Sequence, residues 1–228
     1  MHQIPGDPPI ALTLRRSSRA RRFSLRVSGT DGRVTLTIPA RAREAEALAF
    51  AKSQDAWLRK AIGSRPEARL AEHGVALPFL GRAVTIVPGT GRAVRCEGDQ
   101  LLVPGDPARV PRRVMAFLRE AARERLVAAS DRHAAALGRP YSTISLRDPR
   151  SRWGSCSAAG GLMYSWRLVM APEAVLDYVA AHEVAHLAEM NHSPRFWAVV
   201  ARLCPDYAAP RAWLRREGAG LHAWRFGD

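Results

Sequence analysis

Short runs of alternating hydrophobic and polar residues fill the first part of the chain. Within residues 10–40 the runs RFSLRVSG and RVTLTIPA alternate with a period of two, which is typical of half-buried strands. Residues 30–32 (Thr-Asp-Gly) between them supply turn chemistry, so the pattern predicts a β-hairpin. Across residues 41–63 the spacing becomes helical, and we predict one helix that ends at a glycine.

The remaining pattern predicts a β-rich stretch followed by helices. Short strands closed by Gly or Pro-Gly fill residues 75–104, and a long amphipathic helix follows at residues 107–137. Further predicted elements are strands at residues 142–146 and 162–168, then a helix that begins near Pro172 and runs to about Met190. We predict an α+β fold without an internal repeat. It has a β-rich subdomain with one helix at 1–104, and a helical subdomain with a small sheet at 105–228.

Composition and charge limit the class of protein. Among 228 residues, 47% are hydrophobic and 25% charged, which argues against disorder. The net charge of +14 favours nucleic-acid or nucleotide partners, although basic charge spread over solvated surfaces gives the same total. Three cysteines without a Cys-x-x-Cys pair argue against a disulfide framework. The sequence has no apolar stretch long enough for a membrane span and no secretory h-region, so we expect a cytoplasmic protein without a membrane partner.

Three histidines in and just after the helix predicted from Pro172 to about Met190 give the clearest indication of function. His182 and His186 are four residues apart on one face of the predicted helix, where two imidazoles can hold one ion. Glu183 lies beside them and is placed to act as the base for a zinc-bound water, and His192 follows as a candidate third ligand. The alternative is a pair of surface histidines and an unrelated loop histidine. Three histidines within eleven residues favour a Zn²⁺ site.

This segment resembles the YgjP-like family of zinc metallopeptidases, which is related to SprT-type HExxH proteases. The shared pattern continues from the histidines to Phe196 and Trp197, and it extends upstream to RSRWGSCS at residues 150–157 and PFLGRAV at residues 78–84. The resemblance implies a zincin-like C-terminal subdomain, a zinc cofactor and a peptide or protein substrate. Ser165 departs from the pattern, because the family is expected to have an asparagine there.

Substrate contacts are expected from two places near the cluster. Arg150 and Arg152 could bind a substrate carboxylate or phosphate through forked hydrogen bonds, or they could lie on a solvated loop. A peptide substrate is expected to pair with the predicted strand at residues 162–168 as an added strand.

Three functions remain open on the sequence. The leading prediction is peptide-bond hydrolysis by a zinc metallohydrolase. The second is a nucleotide or phosphoanhydride hydrolase of the pyrophosphatase type on the same site, favoured by the nearby arginines and the +14 charge. The third is a nucleic-acid-binding protein with structural zinc, but three histidine ligands favour an open catalytic site over a closed structural one.

Overall fold

A computed structural model describes residues 2–28, 32–63 and 67–227. The strands are β1 (His2–Ile4), β2 (Ile10–Ser17), β3 (Ser24–Val27), β4 (Val34–Pro39), β5 (Arg69–Leu70), β6 (Ala76–Phe79), β7 (Arg82–Gly89), β8 (Arg95–Glu97), β9 (Gln100–Pro104), β10 (Thr143–Arg147), β11 (Gly154–Cys156), β12 (Gly161–Ser165) and β13 (Trp224–Arg225). The helices are α1 (Glu44–Ser53), α2 (Asp55–Gly63), α3 (Val110–Leu137), α4 (Glu173–Ala185), α5 (Pro194–Leu203) and α6 (Ala208–Leu221), with 3₁₀ helices at Pro107–Arg109 and Trp166–Met170. The predicted α+β class is confirmed.

The chain divides into two compact units, at Met1–Glu67 and Ala68–Asp228. This division differs from the boundary predicted at residue 104. The reason is that β6, β7 and β9 contribute Leu77, Ile86 and Leu101 to the same hydrophobic core as α3 and α4. Strands that share a core with the following helices form part of one folding unit. No described helix is both long and apolar enough to cross a membrane.

The first unit is a four-stranded sheet with two helices. Strand order is β1-β2-β4-β3, and the predicted hairpin of β3 with β4 is antiparallel, although Thr30 and Asp31 of its turn lie outside the described residues. The alternating residues Leu12, Leu36 and Ile38 are buried with helix residues such as Leu58. One face of the sheet therefore forms the core, as period-two alternation requires.

The helix predicted over residues 41–63 is two helices in the structure. α1 ends at Ser53 and α2 begins at Asp55, with Gln54 outside helical geometry between them. The Ser53 hydroxyl donates a hydrogen bond to the carbonyl of Phe50, 2.8 Å away. Such side-chain bonding to the backbone of the preceding turn competes with helix geometry and favours a break.

The second unit contains a four-stranded sheet whose strands are connected and paired in the same way as those of the sheet in the first unit. Strand order is β6-β7-β9-β8, so both sheets have an antiparallel, a parallel and an antiparallel pair in sequence. The last pair of the parallel strands is Ser17 with Pro39 in the first sheet and Gly89 with Pro104 in the second. When these two pairs are superposed, Leu36 of β4 corresponds to Leu101 of β9. The sequence prediction of no repeat therefore missed a structural repeat, because the two sheets share little beyond their buried positions.

A three-stranded sheet in the second unit positions the histidine region. Its order is β10-β12-β11, so β12 is paired on both sides, in parallel with β10 and antiparallel with β11. The prediction that substrate is added to residues 162–168 is therefore wrong, because that strand has no free edge. The strand next to the histidines with an open edge is β11.

Buried polar groups hold the second unit together around this sheet. The Arg167 guanidinium donates to both carboxylate oxygens of Asp148, at 2.7 and 2.9 Å, and to the carbonyls of Leu221 and Trp224. Its guanidinium carbon also lies 4.7 Å from the Trp166 ring centroid. A buried arginine that donates hydrogen bonds from all three of its side-chain nitrogens joins the C-terminal segment to the 3₁₀ helix beside the sheet.

Candidate metal centre

The end of α4 and the following turn bring the three predicted ligands together. The predicted helix to about Met190 is shorter in the structure: α4 ends at Ala185, and the chain turns so that His192 returns to His182. The Nε2 atoms of these two residues are 3.0 Å apart, and candidate ligand atoms of His182, His186 and His192 all lie within 4.8 Å of one another. The structure thus places all three imidazoles around one point.

This donor set fits a divalent ion that prefers nitrogen ligands. In a tetrahedral zinc site with Zn–N distances of about 2.0–2.1 Å, ligand nitrogens are roughly 3.3 Å apart. The Nε2 atoms of His182 and His192 are near this separation at 3.0 Å, and the His186 ligand atom lies within 4.8 Å of both. Burial and the charges of His186 and His192 lower the pKa of His182 to about 3, and burial also lowers the pKa of His186. These imidazoles are therefore neutral near pH 7, with lone pairs free to bind metal.

A hydrogen bond and an aromatic ring orient the histidines. The Nδ1 atom of His186 is 3.0 Å from the carbonyl oxygen of Glu189, an arrangement in which Nδ1–H donates and Nε2 is left to face the cluster. Phe196 on α5 is fully buried, and its ring centroid lies 4.9, 4.5 and 4.7 Å from those of His182, His186 and His192. One side chain therefore packs against all three imidazoles.

A row of aromatic side chains continues from the centre into α6. Tyr178 meets His182 edge-on at 5.9 Å, and the ring of Tyr207 stacks with Tyr178 at 6.4 Å and with Trp197 at 5.5 Å. The Arg211 guanidinium lies 4.3 Å over Trp197. The Nδ1 atom of His182 is buried without a hydrogen-bond partner among the described residues, so ring packing is what fixes this imidazole.

Glu183 fills the space between α4 and β11. The residue is 5% exposed, and burial raises the pKa of its carboxyl group to about 8, while Arg152 acts in the opposite direction. A Cβ atom added to Gly154 would lie 2.6 Å from both Cγ and Oε1 of Glu183. Only glycine at this strand position lets the carboxylate lie beside the histidines.

The centre opens into a cleft of about 430 Å³. Its lining combines the three histidines and Glu183 with β11 and the loop before it: Ser151, Arg152, Gly154, Ser155, Cys156, His182, Glu183, His186, Met190 and His192. Arg152 lies at this cleft and Arg150 does not. Burial lowers the pKa of His222, and the charge of Arg150 adds to this effect after that of Arg167, so Arg150 acts on His222 instead. The structure thus separates the two arginines that the sequence grouped together.

Two further residues take places that the sequence did not predict. Ser165 is fully buried, and its hydroxyl has no hydrogen-bond partner among the described residues, so it does not line the cleft. Met190 is 50% exposed and lines the cleft between the second and third histidines. Its position between two candidate ligands is the one sequence signal that points to it.

Comparison with known proteins places the chain in a family. The profile described as "YgjP-like, metallopeptidase domain" matches residues 21–217. A solved structure, the metallopeptidase zymogen of Pyrococcus abyssi abylysin, is 21% identical with a TM-score of 0.36, covering 41% of this chain and 92% of that one. No curated protein sequence matches. Because the profile match spans most of the chain, this protein belongs to the YgjP-like metallopeptidase domain family.

Proposed function

We propose that this protein is a zinc-dependent peptidase whose ion is held by His182, His186 and His192. The observation that carries this proposal is the placement of a buried carboxylate, Glu183, in the same cleft as the three imidazoles. Three histidine ligands leave a position open for chemistry, whereas structural zinc sites have four ligands and favour cysteine. The family supports peptide-bond hydrolysis as the reaction.

The metal ion and Glu183 have different roles in the proposed reaction. The chemistry that zinc supplies when bound is Lewis-acid polarisation of the scissile carbonyl and a lower pKa for water. Glu183 accepts the proton of the attacking water and gives it to the leaving nitrogen. The raised pKa of this carboxyl group reflects burial alone, and a cation beside it would favour the ionised form that accepts a proton.

The substrate is proposed to bind along β11. This strand lines the cleft, and one of its edges is not paired with β12, so an extended peptide can add to it through backbone hydrogen bonds. Arg152 at the same cleft is proposed to bind a carbonyl or carboxylate oxygen of that peptide. Arg150 does not line this cleft, so its contact with substrate stays a prediction.

Glu183→Gln tests the mechanism without removing a ligand. We expect the zinc content to stay at the level of the unchanged protein and kcat for an unstructured peptide to fall by about 10²–10⁴, the usual contribution of a general base. Glu173→Gln is the matched control, since Glu173 lies at the other end of α4, where it pairs with Arg125. Full activity in a zinc-loaded Glu183→Gln protein would refute the role of Glu183.

A nucleotide or phosphoanhydride substrate is the second candidate, favoured by Arg152 in the cleft. Incubating the zinc-loaded protein with unstructured peptides and, separately, with nucleoside triphosphates distinguishes the two. Pyrophosphate release without peptide cleavage would replace the first proposal.

A cytoplasmic location stays a prediction, based on the three free cysteines at positions 96, 156 and 204.

A further inference from the structure

The outward face of the first sheet is strongly basic. Between residues 13 and 43 the sequence has nine arginines, no lysine and one acidic residue. Six of these arginines form what we call the arginine patch, and all six are exposed: Arg15, Arg19, Arg21, Arg22, Arg26 and Arg41. None of the six has a carboxylate partner among the residues that the structure describes. Their charge is therefore available to a partner.

Strand pairing explains why these arginines gather. Arg15 on β2 and Arg26 on β3 alternate with residues that are partly buried against the core, so the two arginine side chains lie on the opposite face of the sheet. The loop that holds Arg19, Arg21 and Arg22 connects β2 to β3 across the carboxyl end of β4. Arg41 lies just beyond that end, after Pro39 and Ala40. The patch thus covers one face and one end of the sheet.

The uncharged residues paired with Arg15 and Arg26 on this face have hydroxyl groups. Arg15 pairs with Thr37, which pairs with Ser24, and Arg26 pairs with Thr35. Hydroxyl groups and arginine forks are the side chains that contact phosphate oxygens in nucleic-acid complexes. The exposed large hydrophobic residues among the described part of the chain are Trp57, Leu70 and Met190, none of which lies on this face. Membrane-surface binding uses such apolar side chains together with charge.

The second sheet serves as an internal comparison. In the matching registers of the second sheet, Val87 stands in place of Arg15, Glu97 in place of Arg26, Leu102 in place of Thr37 and Arg95 in place of Ser24. Glu97 is moreover paired with Arg95 at 3.2 Å. The same strand arrangement is therefore stable without a basic outward face, so the fold itself does not require the patch.

We propose that the arginine patch of the first unit binds the phosphate backbone of nucleic acid. No aromatic ring lies on the strand face to stack on bases, so the contacts are to phosphates and binding is insensitive to base sequence. This surface shares no residue with the cleft. Binding is therefore independent of the proposed peptidase activity, and either can fail alone.

Fluorescence anisotropy of the full chain with labelled single-stranded DNA tests the proposal between about 50 and 200 mM salt. The triple variant Arg15→Gln, Arg21→Gln, Arg22→Gln should bind on the order of 10- to 100-fold more weakly at about 100 mM salt. Its salt slope should fall by about 2, because each phosphate contact contributes about 0.7 for single strands. A variant with lysine at the same three positions keeps the positive charge, so its affinity should depend on salt concentration almost as steeply as that of the unchanged protein.

The matched control removes the same charge from exposed arginines of the second unit, in Arg119→Gln, Arg123→Gln, Arg202→Gln. This control should bind within about threefold of the unchanged protein, since long-range charge is screened within about 10 Å at 0.1 M salt. Equal weakening by both triple variants would mean that binding follows net charge and would overturn the proposal. So would the absence of DNA binding, or binding to phosphatidylserine-rich vesicles in preference to DNA. Melting curves check that each variant folds. If the triple glutamine variant does not fold, the double variant Arg21→Gln, Arg22→Gln, which changes only the exposed loop between β2 and β3, repeats the test with a proportionally smaller expected loss.

Discussion

The sheets of the two units share strand order, pairing directions and register, but their outward faces have different chemistry. Buried positions correspond in size and polarity: Leu36 matches Leu101, and Ile38 matches Val103, all fully buried. Outward positions do not correspond, and Arg15 of the first sheet faces solvent where the second has Val87. Interior positions must fill a fixed volume, whereas an outward position must only remain compatible with a strand.

This comparison separates what each unit provides. The first unit has a small core and a basic open face, and the second unit adds the three-stranded sheet and the helices that hold the histidines. The two sheets thus have different surfaces, and the cleft with the three histidines belongs to the second unit. If this division holds, a change in one unit should leave the properties of the other unit unaffected.

The metal centre should belong to the second unit alone. His192→Ala removes one of three protein ligands. Complete four-ligand zinc sites bind with about 10–16 kcal/mol, so each ligand contributes roughly a quarter of that energy, and we expect zinc affinity to fall on the order of 100- to 1,000-fold. His2→Ala in the first unit, where His2 pairs with Glu44 at 3.0 Å, should leave the zinc content unchanged. Competitive titration with a chelator measures both. A loss of zinc affinity in His2→Ala would break the comparison.

The matched core positions should be equally costly to truncate. Leu36→Ala and Leu101→Ala each remove a fully buried side chain from the central strand that has partners on both sides, and each should lower the free energy of unfolding by about 2–5 kcal/mol. Hydrogen–deuterium exchange should accelerate for Leu36→Ala within residues 2–63 and for Leu101→Ala within residues 68–227. Acceleration across both units in either variant would show that the units do not unfold separately.

The close approach of β11 to α4 should matter for activity more than for metal binding. Gly154→Ala places a Cβ atom 2.6 Å from Glu183, so the carboxylate or the strand must move. We expect kcat to fall by about 10- to 100-fold, since a displacement of about 1 Å can cost 10²-fold. Gly220→Ala is the control, because no atom lies within 4 Å of its added Cβ. Unchanged kcat in Gly154→Ala, with bound zinc measured in parallel, would contradict the proposed geometry.

The smallest expected effect concerns the contact of α3 with α4. Burial raises the pKa of Asp177, but the hydrogen bond from His133 at 2.9 Å and the charges of His133 and Arg132 outweigh it, so the pKa is lowered overall. This stabilisation is complete above the ordinary carboxyl pKa of about 4 and is lost as the pH falls through the lower folded value.

Asp177→Asn should therefore reduce stability by about 1–2 kcal/mol at pH 7, with a smaller difference in strong acid. Denaturant melts at several pH values measure this difference. A constant difference at every pH would show that the charge of Asp177 contributes nothing.

Much of the fold was predictable because most elements have simple periodicity. The strands of residues 75–104 and the long helix were found by hydrophobic spacing alone, as were the strands on either side of the first hairpin turn. Three features were not predictable: the helix break at Gln54, the early end of α4 at Ala185, and the pairing of β12 on both edges. Each of these features depends on contacts with residues distant in sequence or on a single side-chain hydrogen bond. Such contacts and hydrogen bonds leave no mark on the local hydrophobic pattern.

The sequence by itself determined which residues could form the centre: two histidines one helical turn apart, a glutamate beside them and a third histidine six residues on. Helix geometry fixes the first three with respect to one another, so spacing alone was sufficient. Only the tertiary structure decided what surrounds them. The return of the chain to His182, the packing of Phe196 on three rings and the glycine that admits Glu183 join separate elements, and distances between such elements are set by core packing.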